Sequence, residues 1–335
     1  MSSVVRWRSS SDSDNESLTS ASSSSSDYDD DDVNIRMVPN WCAYRRIIES
    51  HGFRLDTCRD VKLWYHQYWD TMRSQGCTVS KDLPGYARAC SADDDSALCK
   101  DAGLPEHLFR GSRSADGLKV ILRAVHIRSR EYAIVRYLCS PALRNDPKNH
   151  SIPILAFIEV PSDNIVFIVM EEWSPQLVAE TPCNLRLFLG ALRQCIEHAA
   201  FLHSHHIAHL DISMRNILTD YQSHYAYIDY ELSRRFEASV EPRIRGRRGT
   251  EVPPELEAGG VSDPYKTDVW ALAKLLLRAC SLVGYHIPEL RPLIKSMLHP
   301  NFQQRPSAAA VLLEFDSIVS RIDTTRMMQT PSQYH

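Results

Sequence analysis

Between residues 117 and 170 the apolar positions bunch into short dense runs. GLKVILRAV (117–125), IPILAFIEV (152–160) and NIVFIVM (164–170) are rich in Val and Ile. The last two flank Pro161-Ser162-Asp163-Asn164, a turn composition, so all three runs predict strands. SREYAIVRYL (129–138) interrupts the series with helical spacing. From residue 185 onward the helical period dominates, in LRLFLGALRQCIEHAAFLH (185–203), TDVWALAKLLLRAC (267–280) and SAAAVLLEFDSIV (307–319). Upstream, WCAYRRIIESHGF predicts a helix ending at Gly52 and VKLWYHQYWDTM (61–72) another. Residues 77–105 read as irregular, with turns at Pro84-Gly85 and in SADDDS, and no internal repeat is visible. Strands with one helix first and helices afterwards give an α+β order: a small β-rich lobe to about residue 170, a mainly helical lobe after it.

Composition sharpens the picture at the ends. Residues 1–36 contain SSSDSDNESLTSASSSSSDYDDDD, which buries too little to offset its ordering entropy and predicts a disordered Ser/Asp-rich tail. Within it, Ser13 followed by Glu16 resembles a substrate of acid-directed kinases; a merely solvating tail is the bland reading. Residues 37–107 are expected to form a helical and irregular N-terminal extension, and 321–335 a C-terminal tail. Nine cysteines without a CxxC pair point to reduced thiols inside a cell, cytoplasmic or nuclear. No run approaches 18 apolar residues, and the start has no apolar core of signal-peptide length. The net charge of −4 excludes little; its distribution matters more, because EPRIRGRRGT (241–250) is basic.

The chemistry concentrates in HLDISMRNIL (209–218). His209, Asp211 and Asn216 share one short loop, where Asp and Asn also serve as ordinary turn and cap residues. An Asp orienting a hydroxyl beside an Asn holding a metal ion is the functional reading. LHSHHIAHL (202–210) holds four histidines, His209 of the loop among them, but they lack the i, i+4 pairing with a carboxylate of a zinc site.

HLDISMRNIL resembles the catalytic loop H-R-D-x-x-x-x-N of protein kinases. The resemblance implies Asp211 as base, Asn216 as magnesium ligand and His209 as a structural residue. AYIDYELS (225–232) is similar to the strand ending in D-F-G, which makes Asp229 the second magnesium ligand. Pro253-Pro254-Glu255 stands for A-P-E, Asp268-Val269-Trp270 opens a central helix, and Arg305-Pro306-Ser307 supplies the arginine expected to pair with Glu255. Upstream, VILRAV (120–125) resembles V-A-I-K, with Arg123 paired to Glu131, and IVFIVMEEW (165–173) the strand running into the hinge. There Met170 would be the gatekeeper, and Glu171 to Trp173 would meet adenine. LFRGSRSADG (108–117), with Gly111 and Gly117, takes the place of the glycine loop. The resemblance covers about 108–320 and extends to kinase-like proteins of mushroom-forming fungi. It implies a two-lobed protein-kinase-like fold, ATP and Mg as cofactors, and a protein substrate, acidic if the arginines of 241–250 attract it.

Four departures qualify that reading. The glycine loop lacks G-x-G-x-x-G. The strand lysine is Arg123, with Lys119 a distant stand-in. Leu210 replaces the H-R-D arginine and Ser213 the following lysine, and D-F-G has become Asp229-Tyr230-Glu231. Arg123 and the eroded loop suit a pseudokinase acting as a binding module. The D-Y-E suits small-molecule kinases of the aminoglycoside and choline type, which often read D-F-E. Only 36 residues separate Asp268 from Arg305, fewer than protein kinases usually have.

Overall fold

The computed structural model describes residues 37–74, 76, 83–101, 103–174, 184–239 and 241–330. The Ser/Asp-rich segment, with Ser13 and Glu16, lies outside them. Two compact units emerge, one from residues up to 132 plus 153–172, the other mainly from 133–152 and 173 onward.

The first unit is built on an antiparallel sheet of β1 (Phe53–Leu55), β2 (Leu108–Arg113), β3 (Lys119–His126), β5 (Ile165–Glu171) and β4 (Ile154–Val160), in that spatial order. The Val/Ile runs form strands where expected. The turn between β4 and β5 closes with Asn164 at φ 54°, a left-handed conformation that Asn tolerates. Period-2 alternation gives the sheet two unlike faces. Phe53, Leu55, Phe109, Val120, Leu122, Ala124, Ile158, Ile165, Phe167 and Val169 share one apolar face. Helix α1 (Trp41–Ser50) covers it with Trp41 and Ile48, and Trp41 lies 5.2 Å from the Phe109 ring and 5.3 Å from Phe167. The other face carries Arg54, Arg110, Ser112, Lys119, Arg123 and Met170.

The segment 37–107 is therefore more than an appendage to this sheet. It supplies α1 and β1, and residues 56–107 form the connection from β1 to β2. That connection contains α2 (Cys58–Ser74) and α3 (Pro84–Cys90), the latter inside the stretch expected to be irregular. Trp69, Tyr65 and Tyr86 pack there with Cys58, Val61 and Ala89.

α4 (Arg130–Leu138) starts in the first unit and runs into the second. In the second unit the amphipathic segments become α5 (Leu185–Ser204), α7 (Pro264–Val283) and α9 (Ala308–Val319), after the short α6 (Pro254–Glu257) and with α8 (Arg291–Met297) between. The side chains of Asn184, Asp263 and Ser307 accept N–H bonds at the three long N-termini, which fixes where each helix begins. α5 packs on α7 and α9 through buried Leu, Ile and Phe residues. Beyond residue 320 lies α10 (Thr324–Met327), and the Gln329 carbonyl accepts the Leu185 N–H at 3.0 Å. No described helix is long and apolar enough to cross a membrane.

Candidate functional site

The loop 209–216 is held from below by Asp268 of α7, which is 1% exposed. Its Oδ1 accepts the Leu210 N–H at 2.7 Å, and its Oδ2 accepts the His209 N–H at 2.8 Å. His203 Nε2 lies 2.9 Å from the same Oδ2. His209 is fully buried; its Nε2–H donates to the Ile228 carbonyl at 3.1 Å, and its Nδ1 accepts the Asp211 N–H at 3.3 Å. The two bonds together require the neutral Nε2–H tautomer. Leu210 sits at φ 64° and Asp229 at φ 63°, left-handed values that cost a non-glycine residue energy. The Asp268 bonds hold Leu210 there.

Asp211 and Asn216 meet directly. The Asn216 amide nitrogen donates to the Asp211 carbonyl at 2.9 Å and to its carboxylate Oδ2 at 2.8 Å. The other carboxylate oxygen, Oδ1, accepts the backbone N–H of Thr250 at 2.6 Å. Strands β6 (Ile217–Thr219) and β7 (Tyr225–Tyr227) pair Ile217 with Tyr227, so the residues flanking the hairpin come together. There the Ile228 N–H donates to the Asn216 carbonyl at 3.1 Å, which brings Asp229 beside Asn216. With its nitrogen turned to Asp211, Asn216 keeps its side-chain oxygen for another partner. That oxygen is a hard donor of the kind magnesium favours, as is a carboxylate such as that of Asp229.

The contribution of Thr250 had no signal in the sequence reading. It depends on Gly249, at φ 90°, where an added Cβ would come within 2.5 Å of the Leu210 carbonyl. Only glycine allows the chain that close to the loop.

Tyr230 is anchored as firmly. His198 is buried, and burial lowers its pKa well below the usual value, leaving the ring neutral. Its Nδ1 accepts the His150 N–H at 2.9 Å, so its Nε2–H donates to the Tyr230 hydroxyl at 3.0 Å. The hydroxyl in turn lies 2.9 Å from Ser151 Oγ. The Tyr230 and His209 rings are 5.0 Å apart. Tyr230 is thus pinned at its tip.

Glu255 and Arg305 form a bidentate pair at 2.8 and 2.7 Å, with the Arg305 side chain fully buried. Arg305 Nε also donates to the His299 carbonyl at 2.9 Å, and its guanidinium lies 4.8 Å over the Trp270 ring. Burial pushes the Glu255 pKa up, but the bonds from Arg305 and Ser262 outweigh it and hold the carboxyl below its ordinary value.

In the β-rich unit, Arg123 Nε lies 2.8 Å from Glu131 Oε1, both nearly buried, and Met170 occupies the same sheet face. Gly111 does not belong to a phosphate-covering loop. It sits within β2, paired to Leu55 and Val120, on the opposite face. A Cβ there would come 2.4 Å from the Arg54 carbonyl, so β1 explains this glycine. Gly117 (φ 75°) is in the tight turn from β2 to β3. The Glu171 N–H donates to the Pro153 carbonyl at 3.1 Å, and Trp173 belongs to the other unit.

The remaining cations of that face are matched by carboxylates, most of them from 56–107. Arg54 binds Asp60 through two bonds of 2.6 and 2.9 Å. Buried Arg110 contacts Asp101 and lies 2.6 Å from Glu172. Lys119 Nζ is 3.3 Å from Asp56, so the possible substitute for the strand lysine is already engaged.

No family model matches the chain. Over 212 residues it is 25% identical to the "Probable serine/threonine-protein kinase KKQ8" of Saccharomyces cerevisiae (strain YJM789), covering 57% of this chain and 29% of that protein. The counterpart in strain ATCC 204508 / S288c is 24% identical over the same length. A "Bifunctional serine/threonine-protein kinase/NEDD4-like E3 ubiquitin-protein ligase" of Dictyostelium discoideum is 30% identical over 89 residues, 26% of this chain and 5% of that protein. The matches span less than a third of the relatives' own lengths. The similarity supports a protein-kinase-like relationship, and the mixed fold, an antiparallel sheet followed by helices, agrees with it.

Proposed function

We propose that this chain moves the γ-phosphate of ATP, with magnesium, to a protein hydroxyl. The observation that carries the reading is the Asp211 carboxylate, gripped on one oxygen by the Asn216 amide and on the other by the Thr250 N–H. A carboxylate so oriented can take the proton of an incoming hydroxyl, and precise orientation is where most of the catalysis in such reactions originates. Asn216 and Asp229 would hold the magnesium ion, which supplies charge neutralisation on the phosphates when bound. In the β-rich unit, Arg123, steadied by Glu131, is the cation offered to a nucleotide phosphate, with Met170 on the same face. His209, Asp268, Glu255 and Arg305 act as scaffold. The test is transfer of labelled phosphate from ATP·Mg to the chain and to mixed protein, beside Asp211→Asn. Transfer that disappears in the variant supports the reading; transfer to an aminoglycoside or choline instead of protein would move it to the small-molecule kinases.

A second reading, a pseudokinase serving as a binding module, is favoured by the sheet face. Arg54, Arg110 and Lys119 are neutralised by Asp60, Asp101, Glu172 and Asp56, and the connection from β1 to β2 offers helices in place of a glycine loop. Magnesium-independent nucleotide binding without transfer would select it.

A further inference from the structure

The segment 241–250 carries four arginines and one glutamate, a formal charge of 4 − 1 = +3 within ten residues. Arg243, Arg245, Arg247 and Arg248 are all exposed. The backbone that bears them is fixed. Strand β8 (Ile244–Arg245) pairs with β9 (Val261–Ser262), and Arg247 Nε donates to the Glu257 carbonyl at 2.9 Å. Of the neighbouring acids, Glu251 pairs with Arg278 and Glu255 with Arg305. Glu241 lies 2.7 Å from Arg243.

This patch leads directly to the Asp211 carboxylate. Thr250, whose N–H binds Asp211 Oδ1, follows Arg245 by five residues, a reach of at most about 18 Å. A segment held by these arginines would lie within about that reach of the proposed base. The chain also contains a complement: residues 9–32 carry eight acids and no Lys or Arg, interleaved with serines.

We propose that Arg243–Arg248 is a docking surface for acidic, serine-bearing polypeptide, and that its occupant is residues 9–32 of a second copy of this chain. The proposal rests on the transfer reading only for the consequence of docking, because the contact itself is electrostatic. Such a contact brings serines near Asp211 of the other copy and makes modification of 9–26 depend on protein concentration.

The test separates the two ideas. A labelled peptide of residues 9–32 is titrated by fluorescence anisotropy with the full-length chain carrying Asp→Asn at 27 and 29–32, so that the host's own segment competes less. Binding is expected to weaken as salt rises, to survive Asp211→Asn in the host, and to fall by about tenfold or more in Arg243→Glu/Arg245→Glu. Both substituted arginines are exposed, and an unchanged melting temperature checks that the fold persists. Equal binding by the charge-reversed host, or by a peptide with every acid made an amide, would overturn the proposal. So would displacement by single-stranded RNA more effectively than by unlabelled peptide. Absent phosphate transfer with intact peptide binding would count against the proposed function and leave the docking surface standing.

Discussion

The loop around Asp211 and the polar face of the sheet treat their charged groups in opposite ways. Around Asp211 the chain spends a backbone N–H and an amide to orient one carboxylate, with two strained residues nearby. On the sheet face it matches cations with carboxylates, so Arg54, Arg110 and Lys119 are each in an ion pair without any ligand. One region is arranged for a partner, the other is closed on itself. A loop with the proposed catalytic residues in one part of a chain therefore does not guarantee that the groups expected to receive phosphate elsewhere are accessible.

That contrast breaks in graded ways. Asp211→Asn should lower phosphate transfer by about 10³-fold, measured with labelled ATP, while the melting temperature stays near that of the parent chain. Arg305→Ala should cost about 3–5 kcal/mol in denaturant unfolding, because it strands Glu255 in a largely buried place. Tyr230→Phe should cost about 1–3 kcal/mol by leaving the His198 N–H without its acceptor, and hydrogen exchange should quicken around Asp229. Asp56→Asn is the mildest: freeing the half-exposed Lys119 should tighten nucleotide binding by about threefold, read by titration of a fluorescent nucleotide. No tightening would mean that Lys119 does not face the nucleotide.

Acid tests the same scaffold. His198 and Glu255 both have pKa values lowered in the folded state, by burial for His198 and by Arg305 and Ser262 against burial for Glu255. The unfolded chain then binds protons first, so stability is full at neutral pH and declines on acidification. The His198 contribution should begin to fall below about pH 6.5 and the Glu255 contribution below about 4.3. Tyr230→Phe should leave the second decline unchanged, which urea unfolding across pH would check.

What the sequence made legible was local. The spacing from His209 to Asn216 and the Val/Ile runs lie within a few residues of one another, so their meaning survives reading along the chain. Long-range backbone contacts left no such mark. β1 is three residues long and finds its partner across 56–107, so nothing in FRL announces a strand. The reading of 108–117 as a nucleotide loop followed its glycines, yet Gly111 answers to the Arg54 carbonyl. Thr250 contributes an N–H, which every residue except proline has, so only the fold could reveal it.

The long connection from β1 to β2 also bears on how the molecule assembles. The turn 114–118 joins β2 to β3, whereas 56–107 is roughly ten times as long, and logarithmic loop closure makes it costlier by about 2 kcal/mol. The β2–β3 hairpin can therefore form early, and β1 is the natural last arrival at the sheet. Prior folding of α2 and α3 would shorten the effective loop, so the aromatic cluster at Trp69 acts as a clasp that lets the first strand close.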